Sequence, residues 1–224
     1  MTIITTGTRT AILREIKNRG VASQSELSDA LGITREAVRQ HLATLEAQGV
    51  IEHESLPSPG RGRPVQGYRV TGSGEHQFPK FYDALSLSLI EAVAEYHGEE
   101  GIKLVLQGIT DKQVNDWQPQ MEGKSLLERM NELKDIYFDD DPYTSVVRDN
   151  NGAMLIEHNC PYLSVATREP RLCSVTVSTL QRLLGVEVER TERFQAGDGR
   201  CVFRIREDRP IHPDFRFKWE RDRG

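Results

Sequence analysis

Residues 23–48 read as two short amphipathic helices joined by the tight turn Leu31-Gly32-Ile33, and few folds use such a pair behind a third helix. Ser23-Gln-Ser-Glu26 has the spacing of a capping box, in which Ser23 and Glu26 satisfy each other's orphan amides. The helix it opens would turn Leu27, Ala30 and Leu31 inward. Thr34 is placed to cap a following helix that runs to about Gln48, with Ala37, Val38, Leu42 and Leu45 as its buried stripe. Upstream, residues 8–19 set Ile12, Leu13 and Ile16 at helical spacing before Gly20 stops them. Two helices meeting at a glycine-containing turn form the helix-turn-helix arrangement.

In that arrangement the second helix enters the major groove, leading with its N-terminal residues. Arg35, Arg39 and Gln40 carry donors suited to guanine and adenine edges, and Thr34, Glu36 and Thr44 complete the outward face. The same residues are also what the solvated side of a plain three-helix bundle would carry. The next segment separates the two readings. Val50–Glu54 and Gln66–Val70 read as strands flanking Ser58-Pro-Gly-Arg-Gly-Arg-Pro64, a hairpin that would present Arg61 and Arg63 as a wing to the minor groove or to phosphates. Residues 8–71, with Gly60–Pro64 followed by Tyr68 and Thr71, resemble winged helix-turn-helix regulators. The resemblance implies binding to double-stranded operator DNA. The overall formal charge of −5 does not oppose this, because residues 1–72 hold nine Lys/Arg against seven Asp/Glu. Phosphate binding depends on local basic patches rather than on the whole chain.

Composition alone reads Thr71–Glu75 as a flexible linker. Beyond it, 73–141 is expected to be helical. Leu85, Leu89, Val93 and Tyr96 are spaced for a helix over 79–97, either a core helix or the face through which a homodimer pairs, since two half-sites need two readers. Ile102–Gln107 and Ser125–Phe138 continue the helical pattern, and Asp139–Asp141 lacks the alternating ligand spacing of a calcium loop. Residues 142–224 change texture. A strand pair is expected to turn at Asp149–Gly152, followed by a helix over 174–184 and strands at 186–193 and 201–206. The expected fold class is α+β. Chain segments are divided as 1–72 DNA-binding, 73–141 linker and helical dimerisation, and 142–224 sensor. No apolar run reaches the roughly 18 residues that span a bilayer, and no export signal is visible, so the chain is expected to be cytoplasmic and not membrane-bound.

Cys160, Cys173 and Cys201 are the three cysteines of the chain, all in this last region. Their odd number turns attention from disulfides to metal or reactive-thiol chemistry, and no local CxxC points to a zinc ribbon. Three unrelated cysteines packed as small hydrophobes remain the bland alternative. The winged helix-turn-helix, the acidic α+β region and the spacing Cys160-x12-Cys173-x27-Cys201 together resemble the SufR family, repressors of iron–sulfur cluster assembly operons, to about Ile205. The resemblance implies a homodimeric repressor rather than an enzyme, holding a [4Fe–4S] or [2Fe–2S] cluster through these cysteines. Some relatives carry a fourth cysteine that this chain lacks. A histidine can replace a cysteine, which makes His158 the expected fourth ligand, with Asp198 or an exogenous group as alternatives. Three rivals stay open: a winged regulator sensing oxidants or small molecules without a cluster, a thiol enzyme with Cys160 as nucleophile and His158 as base, and a structural zinc site.

Overall fold

The computed structural model describes residues 7–56, 65–137, 143–149 and 152–220. Contacts divide the chain into two compact units, Met1–Phe81 and Tyr82–Gly224. Among the described residues no helix is long and apolar enough to cross a membrane.

In the first unit, α1 (Thr8–Arg19), α2 (Gln24–Leu31) and α3 (Arg35–Ala47) pack on a three-stranded antiparallel sheet. Its strands β1 (Ala22–Ser23), β2 (Ile51–Leu56) and β3 (Val65–Val70) lie in the order β1-β3-β2. The apolar stripes meet as their spacing requires: Ile12 and Ile16 of α1, Leu27 of α2, and Val38, Leu42 and Leu45 of α3 are buried together with Ile51 and Tyr68. Ala30, expected inside, is exposed, while Leu27 is the buried residue of α2 and Gly32 closes the helix in a left-handed conformation (φ 63°). The capping box forms in full: Glu26 N donates to Ser23 Oγ at 3.3 Å and Ser23 N to Glu26 Oε2 at 2.7 Å. The tip of the expected wing, with Arg61 and Arg63, lies outside the described residues.

The expected linker is an ordered turn. Thr71 Oγ1 donates to Gly49 O at 2.6 Å, Ser73 Oγ donates to the same oxygen at 2.8 Å, and Gly74–Gln77 forms a single 3-10 turn. Composition misled here because the glycine serves close packing: a Cβ built on Gly74 would stand 2.0 Å from the carbonyl oxygen of Val50. Glu75 then ties the turn to its surroundings through ion pairs with Lys17 of α1 and, at 2.7 Å, Lys80.

The second unit opens with α4 (Tyr82–Met121), whose 40 residues are broken at Gly98 (φ 63°, ψ −163°) into two arms. The sequence pattern covered 79–97 and 102–107 and did not extend the second arm to Met121. α5 (Leu126–Tyr137) follows, and Phe138 and the aspartates at 139–141 lie outside the described residues. A four-stranded antiparallel sheet has the order β4-β5-β7-β6, from β4 (Thr144–Asp149), β5 (Gly152–Glu157), β6 (Val186–Glu192) and β7 (Cys201–Pro210). The short α6 (Leu163–Ala166) and α7 (Cys173–Leu184) come between β5 and β6. Leu180 and Leu183 of α7 face Leu155, Phe203 and Ile205 of the sheet with Met121, Met130 and Leu133. Val175, on another side of α7, packs with Ile102 and Leu106 of α4 and with Phe217 and Trp219.

Two stability effects follow for the first unit. Gly74→Ala is expected to destabilise it by about 1–3 kcal/mol, since neither backbone can yield to the new methyl; denaturant unfolding that left the midpoint unchanged would contradict the packing. The carboxyl of Glu75 is held down at about 2 by hydrogen bonds from Lys17 and Lys80. A carboxyl depressed on folding stabilises above its ordinary range, and the contribution disappears as pH falls through that range toward about 2. Glu75→Gln should therefore lower the melting temperature at pH 7 and converge on wild type near pH 2; parallel pH profiles would refute the coupling.

Candidate DNA-reading helix and cysteine cavity

Thr34 caps α3, its Oγ1 accepting from Ala37 N at 3.2 Å. The first turn of the helix is braced from behind. Gln24 Nε2 donates to the Arg35 carbonyl at 2.7 Å, and the Arg35 guanidinium donates to Ser25 Oγ at 2.7 Å. Neither Gln24 nor Ser25 was singled out in the sequence, although both follow the Ser23 cap. Thr34, Arg35, Glu36, Arg39, Gln40 and Thr44 are all exposed, on the side of α3 opposite Val38, Leu42 and Leu45. Glu36 accepts two hydrogen bonds from Arg39, at 2.9 and 2.6 Å, and one from Gln40 at 3.4 Å. These bonds, those of Arg39 first, hold the Glu36 carboxyl below its ordinary range. Thr44 returns its hydroxyl to the carbonyl of Gln40 at 3.0 Å.

The cysteines stand where three separate elements begin or end. Cys201 is the first residue of β7, Cys173 the first of α7, and Cys160 follows the end of β5. All three line one cavity with Glu157, Tyr162, Arg190 and Gln195. Cys173 and Cys201 are buried and Cys160 is half-buried. Gln195 Nε2 donates to Cys173 Sγ at 3.2 Å and to Ala166 O at 3.3 Å, while its Oε1 is buried without a hydrogen-bond partner. Arg190, its side chain 4% exposed, donates from Nε to Glu220 Oε1 at 2.6 Å and hydrogen-bonds the Cys173 sulfur. Burial alone would lower its proton affinity, but Cys173 and Glu220 beside it keep it charged, above its ordinary value.

The cavity is a poor place for a reactive thiol. Burial pushes Cys160 up to about 12, and the charge of Glu157 adds to the effect. Burial also raises Cys201, partly offset by a hydrogen bond with the backbone at Phe194. Nucleophilic and redox-sensing cysteines need the opposite shift. His158, the expected fourth ligand and the base of the enzyme reading, is exposed and does not line the cavity. Strand parity explains why. Ala153, Leu155 and Glu157 are the buried positions of β5, so the inward acid is Glu157, and the strand ends before His158. Asp198 is exposed as well, its Oδ2 accepting from Arg193 N at 2.8 Å.

The donors suit a thiolate-bound group, but the cavity holds about 20 Å³, room for about one water. Among the described residues, no three His, Cys, Asp or Glu side chains are grouped to hold a single metal ion. The side of the cavity next to Cys160 is bordered by the exposed Pro161–Leu163.

Comparison with curated proteins returned no match. Residues 6–52 match the family described as winged helix-turn-helix DNA-binding. With α1 to α3 and the β2–β3 hairpin in place, the N-terminal unit is a winged helix-turn-helix DNA-binding domain, and the chain reads as a transcriptional regulator.

Proposed function

We propose that this regulator is a homodimeric repressor of iron–sulfur cluster assembly genes that reports cluster supply through a cluster held by Cys160, Cys173 and Cys201. The observation that carries the reading is that thiols separated by 12 and 27 intervening residues line a single cavity. A cluster, when bound, supplies a crosslink among thiolates that oxidation or iron loss can undo. Cys160 is the ligand that must move, drawing the segment after β5 toward the starts of α7 and β7. Because α7 packs on α4, order at Cys173 bears on α4, whose Tyr82, Leu85, Leu89 and Tyr96 form one exposed apolar stripe. Pairing of two chains through that stripe would set the spacing of two α3 helices on an operator with two half-sites. Binding the cluster in one arrangement preferentially is what couples the cavity to the DNA.

The small-molecule alternative has an observation of its own. A second, apolar cavity of about 320 Å³, lined by Leu89, Ile90, Val105, Ile109 and Val175, shares Tyr162 and Thr176 with the cysteine cavity. Its size is that of a small-ligand site. Colour separates the two: the cluster reading requires a brown protein with labile sulfide after anaerobic isolation.

Two measurements test the proposal. Anaerobically reconstituted protein should bind promoter DNA of cluster assembly genes in the same genome at least about tenfold more tightly than apo protein, within the range of allosteric couplings. Cys160→Ser, Cys173→Ser and Cys201→Ser should each abolish the difference, and equal affinity of apo and reconstituted wild type would overturn the switch. On the DNA side, Arg39→Ala should weaken operator binding by about 1–3 kcal/mol and relax preference at one base pair. An unchanged titration curve would remove Arg39 from the reading face.

A further inference from the structure

A reading helix leads with its first turn into a groove walled by phosphates, and the first turn of α3 carries an acid. Glu36 is exposed there, on the same face as Arg39 and Gln40. Repulsion from the phosphates opposes a carboxylate at that place unless its charge is put to use. We infer that Glu36 is a positioning residue for DNA readout: it fixes the Arg39 guanidinium so that its outer edge is offered to guanine. The assignment rests on α3 as the reading helix and not on the cluster.

The grip is made at two points along one side of the planar group. Arg39 Nε donates to Glu36 Oε2 at 2.9 Å, and Arg39 Nη2 donates to Glu36 Oε1 at 2.6 Å. Each terminal nitrogen of a guanidinium carries two hydrogens, so Nη1 and the second hydrogen of Nη2 are left over. Those are the donors that a bidentate contact with guanine O6 and N7 requires. The neighbouring donors are disposed otherwise. The Arg35 guanidinium is turned back to Ser25 Oγ at 2.7 Å, and Gln40 reaches Glu36 only at 3.4 Å.

Stability is not what the pair serves. The side chains of Arg39 and Glu36 are 64% and 60% exposed, and pairs so exposed contribute little to folding. Binding is where the grip matters. A free arginine loses rotamer freedom when it docks, and it can settle on a phosphate, which holds without reading sequence. An arginine already held loses less, and the carboxylate beside it disfavours phosphate as a partner.

The test uses the full chain in whichever form, apo or reconstituted, binds DNA more tightly. Selection from a random duplex library gives the preferred site of each variant. Titration of that site and of a scrambled duplex across a range of salt gives discrimination and salt slope. Arg39→Ala should lose preference for guanine at one position. Glu36→Gln should weaken preference at that same position and lower discrimination by about fivefold or more, the lower end of what a bidentate base contact supplies. It should also steepen the salt slope on scrambled DNA by about one phosphate contact, as the released arginine turns to the backbone. Glu36→Asp, with its charge on a shorter stem, should keep the wild-type slope and show intermediate discrimination. In an Arg39→Ala background, Glu36→Gln should leave base preference unchanged, because the coupling runs through the arginine. If Glu36→Gln selects and discriminates like wild type while Arg39→Ala does not, the positioning role is overturned and the reading helix stands. An equal change of preference with and without Arg39 overturns it too, since Glu36 would then contact a base itself. Should none of these substitutions alter the preference, the reading helix falls as well.

Discussion

α7 has no exposed residue, and the second unit is built around that fact. Its flanks bury Leu180 and Leu183 against the sheet and Val175 against α4. The polar side is satisfied rather than solvated: Ser174 Oγ accepts from Glu220 N at 2.9 Å, and Ser178 Oγ accepts from Lys218 N at 3.3 Å. A helix so enclosed fixes the position of its first residue, Cys173, and leaves little room for independent movement at that thiol. The tail after β7 takes part, because Phe217 and Trp219 fill the side of α7 next to α4, and Glu220 reaches Arg190. This tail lies beyond the reach of the family resemblance, yet it supplies the countercharge for the cation that touches Cys173.

The cavity thus has one wall within the core and one near the surface. Cys173 and Cys201 begin elements held by the core, whereas Cys160 sits between β5 and α6 next to exposed residues. Burial raises the proton affinity of Cys160, with the charge of Glu157 adding to it, and this favours the thiol over the thiolate.

Much of the fold was legible because its elements obey short-range rules. The stripe Val38, Leu42 and Leu45, the Ser23–Glu26 box and the turn at Gly32 are each decided within a few residues, and each forms as expected. The cavity was half legible. Cysteines announce themselves by rarity, but Glu157 and Arg190 are ordinary letters in an acidic region, and only strand pairing brings them to the thiols, while Gln195 arrives on the 3-10 turn between β6 and β7. One signal was available: β5 alternates with Ala153 and Leu155 inward, so an acid at the next inward place is anomalous, and the same holds for Arg190 after Val188 on β6. His158 was favoured by proximity to Cys160 along the chain, and proximity fails where a strand ends. Thr71–Glu75 failed for a related reason, since glycine in a list of polar residues does not reveal whether it grants freedom or fits beneath a carbonyl.

The break at Gly98 has a geometric result. In an unbroken helix Leu89 and Val105 would lie about 24 Å apart along the axis, at 1.5 Å per residue, too distant to border the same void. They do border the same void, so α4 doubles back like a clasp, and its two arms form opposing jaws.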